Sequence, residues 1–343
     1  MMAMSLTRRR FCLSLALGAG GAACYGLARL RSGRRELLSY SQTSTALGTK
    51  VEVTALHSSQ TQAAEGMKAA FAELEQVEEV MSLYRPHSQL CRLNREGLLR
   101  QPHPYLVEVL TAAQELAEKS SGKFDVTVQP LWKLHESAAK QNRSPSAAEI
   151  ALAVQMVDWQ KLEVSKNLIR LQRPGMAVTL NGIAQGYAAD RAKAALQSHG
   201  VEHALINTGE LTSLGRKSSG QPWHVGIQHP RQDDAYIALA DLDGRCLATS
   251  GDYATTFGND RNRHHILDPD TGASAAGFAS VSIAAPSGLL ADGLSTAAFV
   301  LGPVDGERLV NHFDGADLLG VLQNGHLLRT AGFPISRDEE AGV

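Results

Sequence analysis

The chain has 343 residues, 43% of them hydrophobic and 20% charged, and its 33 basic residues nearly balance its 35 acidic ones for a formal charge of −2. This composition excludes wholesale disorder and a collagen-like fibre, and the absence of a basic excess removes any electrostatic case for nucleic acid as a partner. The length allows one large domain or two, with a sizeable core.

The charge is unevenly spread. Residues 1–35 carry seven arginines (Arg8, Arg9, Arg10, Arg29, Arg31, Arg34, Arg35) and no acidic residue, which leaves a net −9 for the remainder. Arg8-Arg9-Arg10-Phe11 precedes a weakly apolar run to Ala28 that is diluted by Gly18, Gly20, Gly21 and Gly26. A basic stretch followed by a short apolar one is the pattern of an export signal, and the Arg-Arg-x-Phe form resembles a twin-arginine signal. The run is marginal for a membrane span. Residues 1–35 are therefore expected to be a signal, cleaved or retained as an anchor, that takes the chain to the periplasm. Membrane association is expected only through this segment, and residues 36–343 are expected to form the functional domain. Cys24 follows Gly21-Ala22-Ala23, but a lipid-attachment box carries Leu or a similar residue where Gly21 stands. Gly18-Ala-Gly20-Gly-Ala-Ala23 loosely matches a dinucleotide fingerprint but lacks the strand and helix that would flank one. Of the other cysteines, Cys91 and Cys246 are too far apart in sequence to signal a disulfide framework or a metal knuckle, and two small buried side chains are the plainer expectation.

In chain order, residues 47–56 alternate apolar and polar and predict a strand. Apolar residues at 63, 67, 70, 71, 74, 77 and 81 predict an amphipathic helix over Ala63–Met81. A second helix is predicted over Tyr105–Lys119, and a third from Pro145 with Ser144 as its N-cap. Residues 122–130 read as a turn feeding a short strand. Strands follow at Leu162–Val164, Leu168–Leu171 and Ala177–Leu180. Next come a helix from Ala184 to His199 stopped by Gly200 and a strand at Val201–Asn207. Further strands are expected at Trp223–Gln228, Tyr236–Ala240, Cys246–Thr249 and Ser280–Ala285, then a helix over Ala291–Leu301 that stops at Gly302-Pro303. Without regular strand–helix alternation, and with no linker between halves, the fold class is α+β: a mixed sheet with helices in a single large domain.

Five segments carry groups suited to chemistry, each with a bland alternative. Thr179-Leu-Asn-Gly182-Ile-Ala-Gln185-Gly186 is a strand, a glycine turn and a helix start. Such a turn presents main-chain groups to phosphate, or merely turns the chain. Asp292 and Thr296 are four apart, so their oxygens share one helix face. A carboxylate and a hydroxyl suit Mg2+, which keeps several non-protein ligands, whereas the bland alternative is a cap and a solvated Thr. His265, before Asp268-Pro-Asp-Thr-Gly272, is a candidate general base or a histidine packed beside a turn. With His264, His224 and His229 it also raises a histidine metal site, for which no compact spacing exists. Tyr84 in Met81-Ser-Leu-Tyr84 is placed to stack on a flat ligand or to close the core. Asp125, in Gly122-Lys123-Phe124-Asp125-Val-Thr127, binds ligand hydroxyls or caps a turn.

Together these segments resemble the ApbE-type FMN transferases. The resemblance runs from Gly48-Thr49 through Met81-Ser-Leu-Tyr84, Arg92-Leu-Asn94, Phe124-Asp125-Val-Thr127-Val, Gly182-Ile-Ala-Gln-Gly186-Tyr187, Asn207-Thr-Gly-Glu210, Thr249-Ser-Gly251-Asp252-Tyr253, His265-Ile-Leu-Asp268-Pro269-x-Thr271-Gly272 and Ala291-Asp292-x-x-x-Thr296. It covers roughly residues 45–325. The signal and the Phe124–Trp132 and Leu180–Gly186 stretches resemble more finely the NosX-like branch tied to nitrous-oxide reductase maturation, which implies a NosR-like membrane protein as acceptor.

The resemblance implies an ApbE-like fold with an active-site cleft, FAD as substrate and Mg2+ as cofactor. FMN would pass to a Thr or Ser hydroxyl of an acceptor flavoprotein as AMP leaves. It implies Asp292, Thr296 and the Gly182 carbonyl as metal ligands, with Ser295 assisting. FAD contacts would come from Leu47, Tyr84, Lys123, Phe124, Asp125, Thr179, Gln185 and Ile266, and His265 would be the base, with Asp292 also counted as catalytic. Many members carry an acidic residue where Thr179 stands, Lys or Glu where Gln185 stands, and Gly-Gly-Asp where Thr208-Gly209-Glu210 stands. Those departures leave open a non-catalytic flavin-binding assembly factor, and an FAD pyrophosphatase is a further alternative. Tyr84 favours transfer over hydrolysis.

Overall fold

The computed structural model describes residues 37–258 and 261–336, so the expected N-terminal signal lies outside the described residues. The chain opens with a hairpin of β1 (Leu38–Ala46) and β2 (Thr49–His57). Leu47 and Gly48 form its two-residue turn with φ of +53° and +74°, the left-handed pair that matches strand twist. The strand expected over 47–56 is thus the second arm of a hairpin whose turn starts at Leu47. Helix α1 (Gln60–Met81) buries Met67, Ala70, Leu74 and Val77 on the predicted face. Helix α2 (Gln89–Glu96) ends at Gly97 and leads to β3 (Leu98–Arg100).

Helix α3 (Pro104–Lys119) lies where expected. The stretch expected to feed a strand instead enters helix α4 (Gln129–Lys140). Helix α5 (Ala147–Val154) is capped by Ser146, paired reciprocally with Glu149, and not by Ser144. Strands β4 (Leu162–Val164) and β5 (Leu168–Leu171) match the expectation. The strand expected at Ala177–Leu180 does not form; only a bridge from Ala177 to Val128 is present. Both main-chain polar groups of Val178 are taken by the Asn94 side chain, at 2.6 and 2.8 Å.

Helix α6 (Ala184–Ser198) is followed by Gly200 at φ +77°. Strands β6 (His203–Asn207), β7 (Leu211–Leu214), β8 (Trp223–Gln228), β9 (Tyr236–Leu242), β10 (Cys246–Gly251) and β11 (Phe278–Ala285) come next. Helix α7 (Gly288–Val310) breaks at Gly302-Pro303 as expected, with Gly302 at φ +79°, and then resumes. Strands β12 (Asp317–Leu322) and β13 (Leu327–Arg329) complete the described chain.

Eight strands form one antiparallel sheet in the order β1-β2-β6-β7-β10-β11-β12-β13. Side-chain alternation splits its residues between two cores. Val53, Ile206 and Ile283 face α1, α6 and α7, where Leu74, Ala188 and Leu294 meet them. Leu56, Leu205 and Ala284 point the other way, onto Trp223, Val225 and Ile227 of the β8–β9 hairpin. A third cluster joins Leu131 of α4 and Ala153 of α5 to Phe257 and Leu267 of the loop between β10 and β11. The architecture is α+β. Among the described residues no helix is long and apolar enough to cross a membrane.

Candidate active site

Helices α6 and α7 touch through glycine. A Cβ on Gly186 would stand 1.9 Å from the Gly288 carbonyl oxygen, so only hydrogen permits this approach. The contact aligns two series of residues four apart. Gly186 donates its main-chain N–H to the Asp292 carboxylate at 3.0 Å. Four residues earlier, a Cβ on Gly182 would stand 2.8 Å from the Thr296 hydroxyl oxygen. Behind Thr296, the Ser250 hydroxyl lies 2.8 Å from Ser295 and 3.3 Å from Thr296. Ser295 also donates to the Asp292 carbonyl, so it supports the helix turn from inside.

Of these groups, Gly182, Ser250, Asp292 and Thr296 line one cleft of ≈770 Å3, open solvent at its mouth included. Gly182, Asp292 and Thr296 form one wall, with Glu210, Thr249 and Ser250 beside them. Phe124, Trp132, Ile266 and Leu267 give an apolar side, and Lys123, Asp125, Thr179 and His265 complete the expected residues found there. Leu47, Tyr84, Gln185 and Ser295 do not line the cleft. Gln185 is buried against Gly209. Tyr84 is 63% exposed and stands over the Leu47-Gly48 turn, 4.0 Å from where a Gly48 Cβ would be.

Asp125 lines the cleft while capping a turn: its carboxylate accepts the Thr127 N–H and hydroxyl at 2.7 and 2.6 Å, and the Trp159 N–H at 3.1 Å. Burial pushes this carboxyl up to about 6, against those donors. Lys123 is ion-paired with Asp268 and Asp270, each at 2.9 Å. Burial works against its charge, but the two carboxylates outweigh it and hold its pKa above the ordinary value. The Asp268–Gly272 turn is pinned by His135, whose Nε2 meets the Gly272 carbonyl at 2.8 Å.

His265 places Nδ1 3.1 Å from the Thr255 carbonyl. A carbonyl only accepts, so Nδ1 carries the hydrogen and Nε2 is the basic nitrogen of the neutral ring. The neighbouring His264 is occupied with the Ala275 carbonyl, and His224 with Asp241. Among the described residues no three His, Cys, Asp or Glu side chains gather to hold a metal.

Where the Gly182 turn meets α7, the cleft presents the Asp292 carboxylate and the Thr296 hydroxyl side by side with that turn. This set of hard oxygens fits Mg2+, a cation that takes one or two protein carboxylates and leaves room for phosphate. Asp292 and Thr296 would hold the ion, with the Gly182 carbonyl. Trp132, Glu210, Thr249 and Ser250 were not singled out as contacts from the sequence. Glu210 and the Thr249–Tyr253 segment stand out in the sequence only as motif positions, and Trp132 only as the end of the Phe124–Trp132 stretch that resembles the NosX-like branch.

The ApbE family model matches residues 47–319. The chain is 31% identical over 340 residues to the FAD:protein FMN transferase of Treponema pallidum (strain Nichols), covering 91% of each chain. It is 30% identical over 281 residues to that of Klebsiella pneumoniae (strain 342), covering 78% of this chain and 80% of the relative. The crystal structure of the ApbE protein of Thermotoga maritima superposes with a TM-score of 0.76 at 33% identity, over 85% of this chain and 97% of its own. The apo flavinyl transferase ApbE of Pseudomonas stutzeri gives 0.75 at 30% identity, over 87% and 96%. By family match, by sequence and by fold, the chain belongs to the ApbE family.

Proposed function

We propose that this chain transfers FMN from FAD to a Thr or Ser hydroxyl of an acceptor protein, with Mg2+ as cofactor. The observation that carries the reading is the meeting, in one cleft, of Asp292, Thr296 and the Gly182 turn with His265. The relatives named FAD:protein FMN transferase support the reaction class. The acceptor oxygen forms a bond to the phosphorus of the FMN half. The bond from that phosphorus to the bridging oxygen breaks, and AMP leaves with the electron pair. The hydroxyl proton passes to Nε2 of His265. Phosphoryl transfer asks mainly for alignment and cancellation of charge. When bound, Mg2+ supplies that charge compensation. Phe124, Trp132, Ile266 and Leu267 offer flat and branched apolar surface to a ring system, and Lys123, its charge answered by Asp268 and Asp270, lines the same cleft. Tyr84 and Leu47 stand outside the cleft and would reach the flavin only at its outer end.

The arginine-led segment at residues 1–35 supports export to the periplasm by a twin-arginine route, with any membrane contact confined to that segment. The motif match to the NosX-like branch supports a NosR-like acceptor in nitrous-oxide respiration. The uncharged Thr179 in the cleft favours one second reading, a flavin-holding assembly factor without transfer. Incubation with FAD, Mg2+ and a candidate acceptor domain separates the two readings. Transfer leaves a fluorescent acceptor band after denaturing electrophoresis. FAD binding with no such band supports the holding role, and AMP release without acceptor supports a pyrophosphatase.

A further inference from the structure

The contact series on α6 and α7 extends one step beyond the cleft. Gly182 meets Thr296, Gly186 meets Asp292, and Asp190 meets Gly288. The positions are four apart on each side and run in opposite directions. Asp190 is half-buried and takes no part in the proposed chemistry. Its carboxylate accepts the Gly288 N–H at 2.7 Å and the Leu289 N–H at 2.9 Å. Those two N–H groups are among the four that a helix start leaves without intrahelical partners. The Cys246 thiol, held as a thiol by burial, approaches the same carboxylate at 3.6 Å.

Helix α7 already has a cap of its own, since Ser287 accepts the Leu290 N–H at 3.2 Å. A cap from within the helix stabilises that helix but fixes nothing about its neighbour. A cap supplied by α6 fixes the start of α7 relative to α6. We propose that Asp190 is a positioning residue for the cation site: by holding the first turn of α7 to α6, it sets where Asp292 and Thr296 stand against the Gly182 turn. The inference rests on the Mg2+ reading. Groups behind metal ligands commonly alter affinity by ten- to a hundredfold when changed.

The test compares Asp190→Asn with Ser287→Ala in the full chain. Asparagine keeps the shape and loses the charge and one acceptor; Ser287→Ala removes a cap on the same helix without touching α6. Mn2+ binding in the presence of FAD is read by the paramagnetic resonance of free Mn2+, beside thermal unfolding. Asp190→Asn is expected to weaken Mn2+ by about tenfold or more, with saturating Mg2+ restoring most of kcat, while Ser287→Ala lowers the unfolding temperature and leaves Mn2+ affinity within about twofold. If Asp190→Asn does not fold, Asp190→Ser, which still accepts one N–H, is expected to weaken Mn2+ in the same way. Wild-type affinity in the folded Asp190 variant, or equal weakening by both variants, overturns the role. A wild-type chain that binds no Mn2+ with FAD overturns the metal reading itself, and with it this inference.

Discussion

The Asp292 carboxylate accepts the Gly186 main-chain N–H across 106 positions of sequence. One bond thereby joins the first turn of one helix to the second turn of another, and it leaves the carboxylate at the wall of the cleft. Removing that carboxylate removes the charge that would hold a cation on the phosphates. Asp292→Ala is expected to lower FMN transfer on the order of a hundredfold or more, the scale of deleting a transition-state electrostatic element. Transfer rates at limiting and saturating Mg2+ check it; undiminished transfer at limiting Mg2+ contradicts the assignment.

The glycine contact sets the spacing. Gly186→Ala would drive a methyl into the Gly288 carbonyl, backbone against backbone, with no flexible side chain to yield. A cost on the order of 3 kcal/mol follows from overpacking of this kind. Denaturant unfolding measures it. A variant as stable as the parent would show that the helices slide apart freely.

Asp125 gives a pH signature. Its carboxyl is pushed up to about 6 in the folded chain from an ordinary value of 3.8. The folded state therefore holds this proton more tightly than the unfolded one. The contribution is fully present below the unfolded value and is lost as pH rises through about 6, an effect on the order of 3 kcal/mol. Asparagine cannot titrate, so the difference in unfolding free energy between the parent and Asp125→Asn should drift against the parent between pH 4 and 7. A flat difference would contradict it.

The two cysteines of the described chain differ in reach. Cys246 is buried, and burial pushes its thiol up to about 12. Cys91 is half-exposed and donates weakly to main-chain carbonyls. Brief alkylation of the native protein at neutral pH, read by peptide mass, should label Cys91 well ahead of Cys246. Equal labelling would place Cys246 in a more open structure than this one.

Local patterning exposed much of the fold. Strands β4, β5 and β8 fall at their expected residues because alternation and turn residues bound them closely. Helix α6 is framed by the Gly182 turn and Gly200. Misreadings arose where side chains compete with the ladder for the backbone. Phe124-Asp125-Val-Thr127-Val alternates like a strand, yet Asp125 folds back on Thr127 and starts a turn into α4. Ala177–Leu180 is equally apolar, yet Asn94 takes the polar groups of Val178 that a ladder would need. Asp292 and Thr296 were legible as an i, i+4 pair, and the family resemblance named their companion at Gly182. The pairing of Gly186 with Gly288 and the reach of Asp190 were not legible, because nothing local in either segment points to a partner about a hundred residues away.

The most direct measurement is a crystal structure with FAD and Mn2+, with the cation located by its anomalous scattering. The account predicts a peak bounded by Asp292, Thr296 and the Gly182 carbonyl, against the linked phosphates of FAD. A peak elsewhere in the cleft, or FAD bound with its phosphates remote from those three residues, would contradict it.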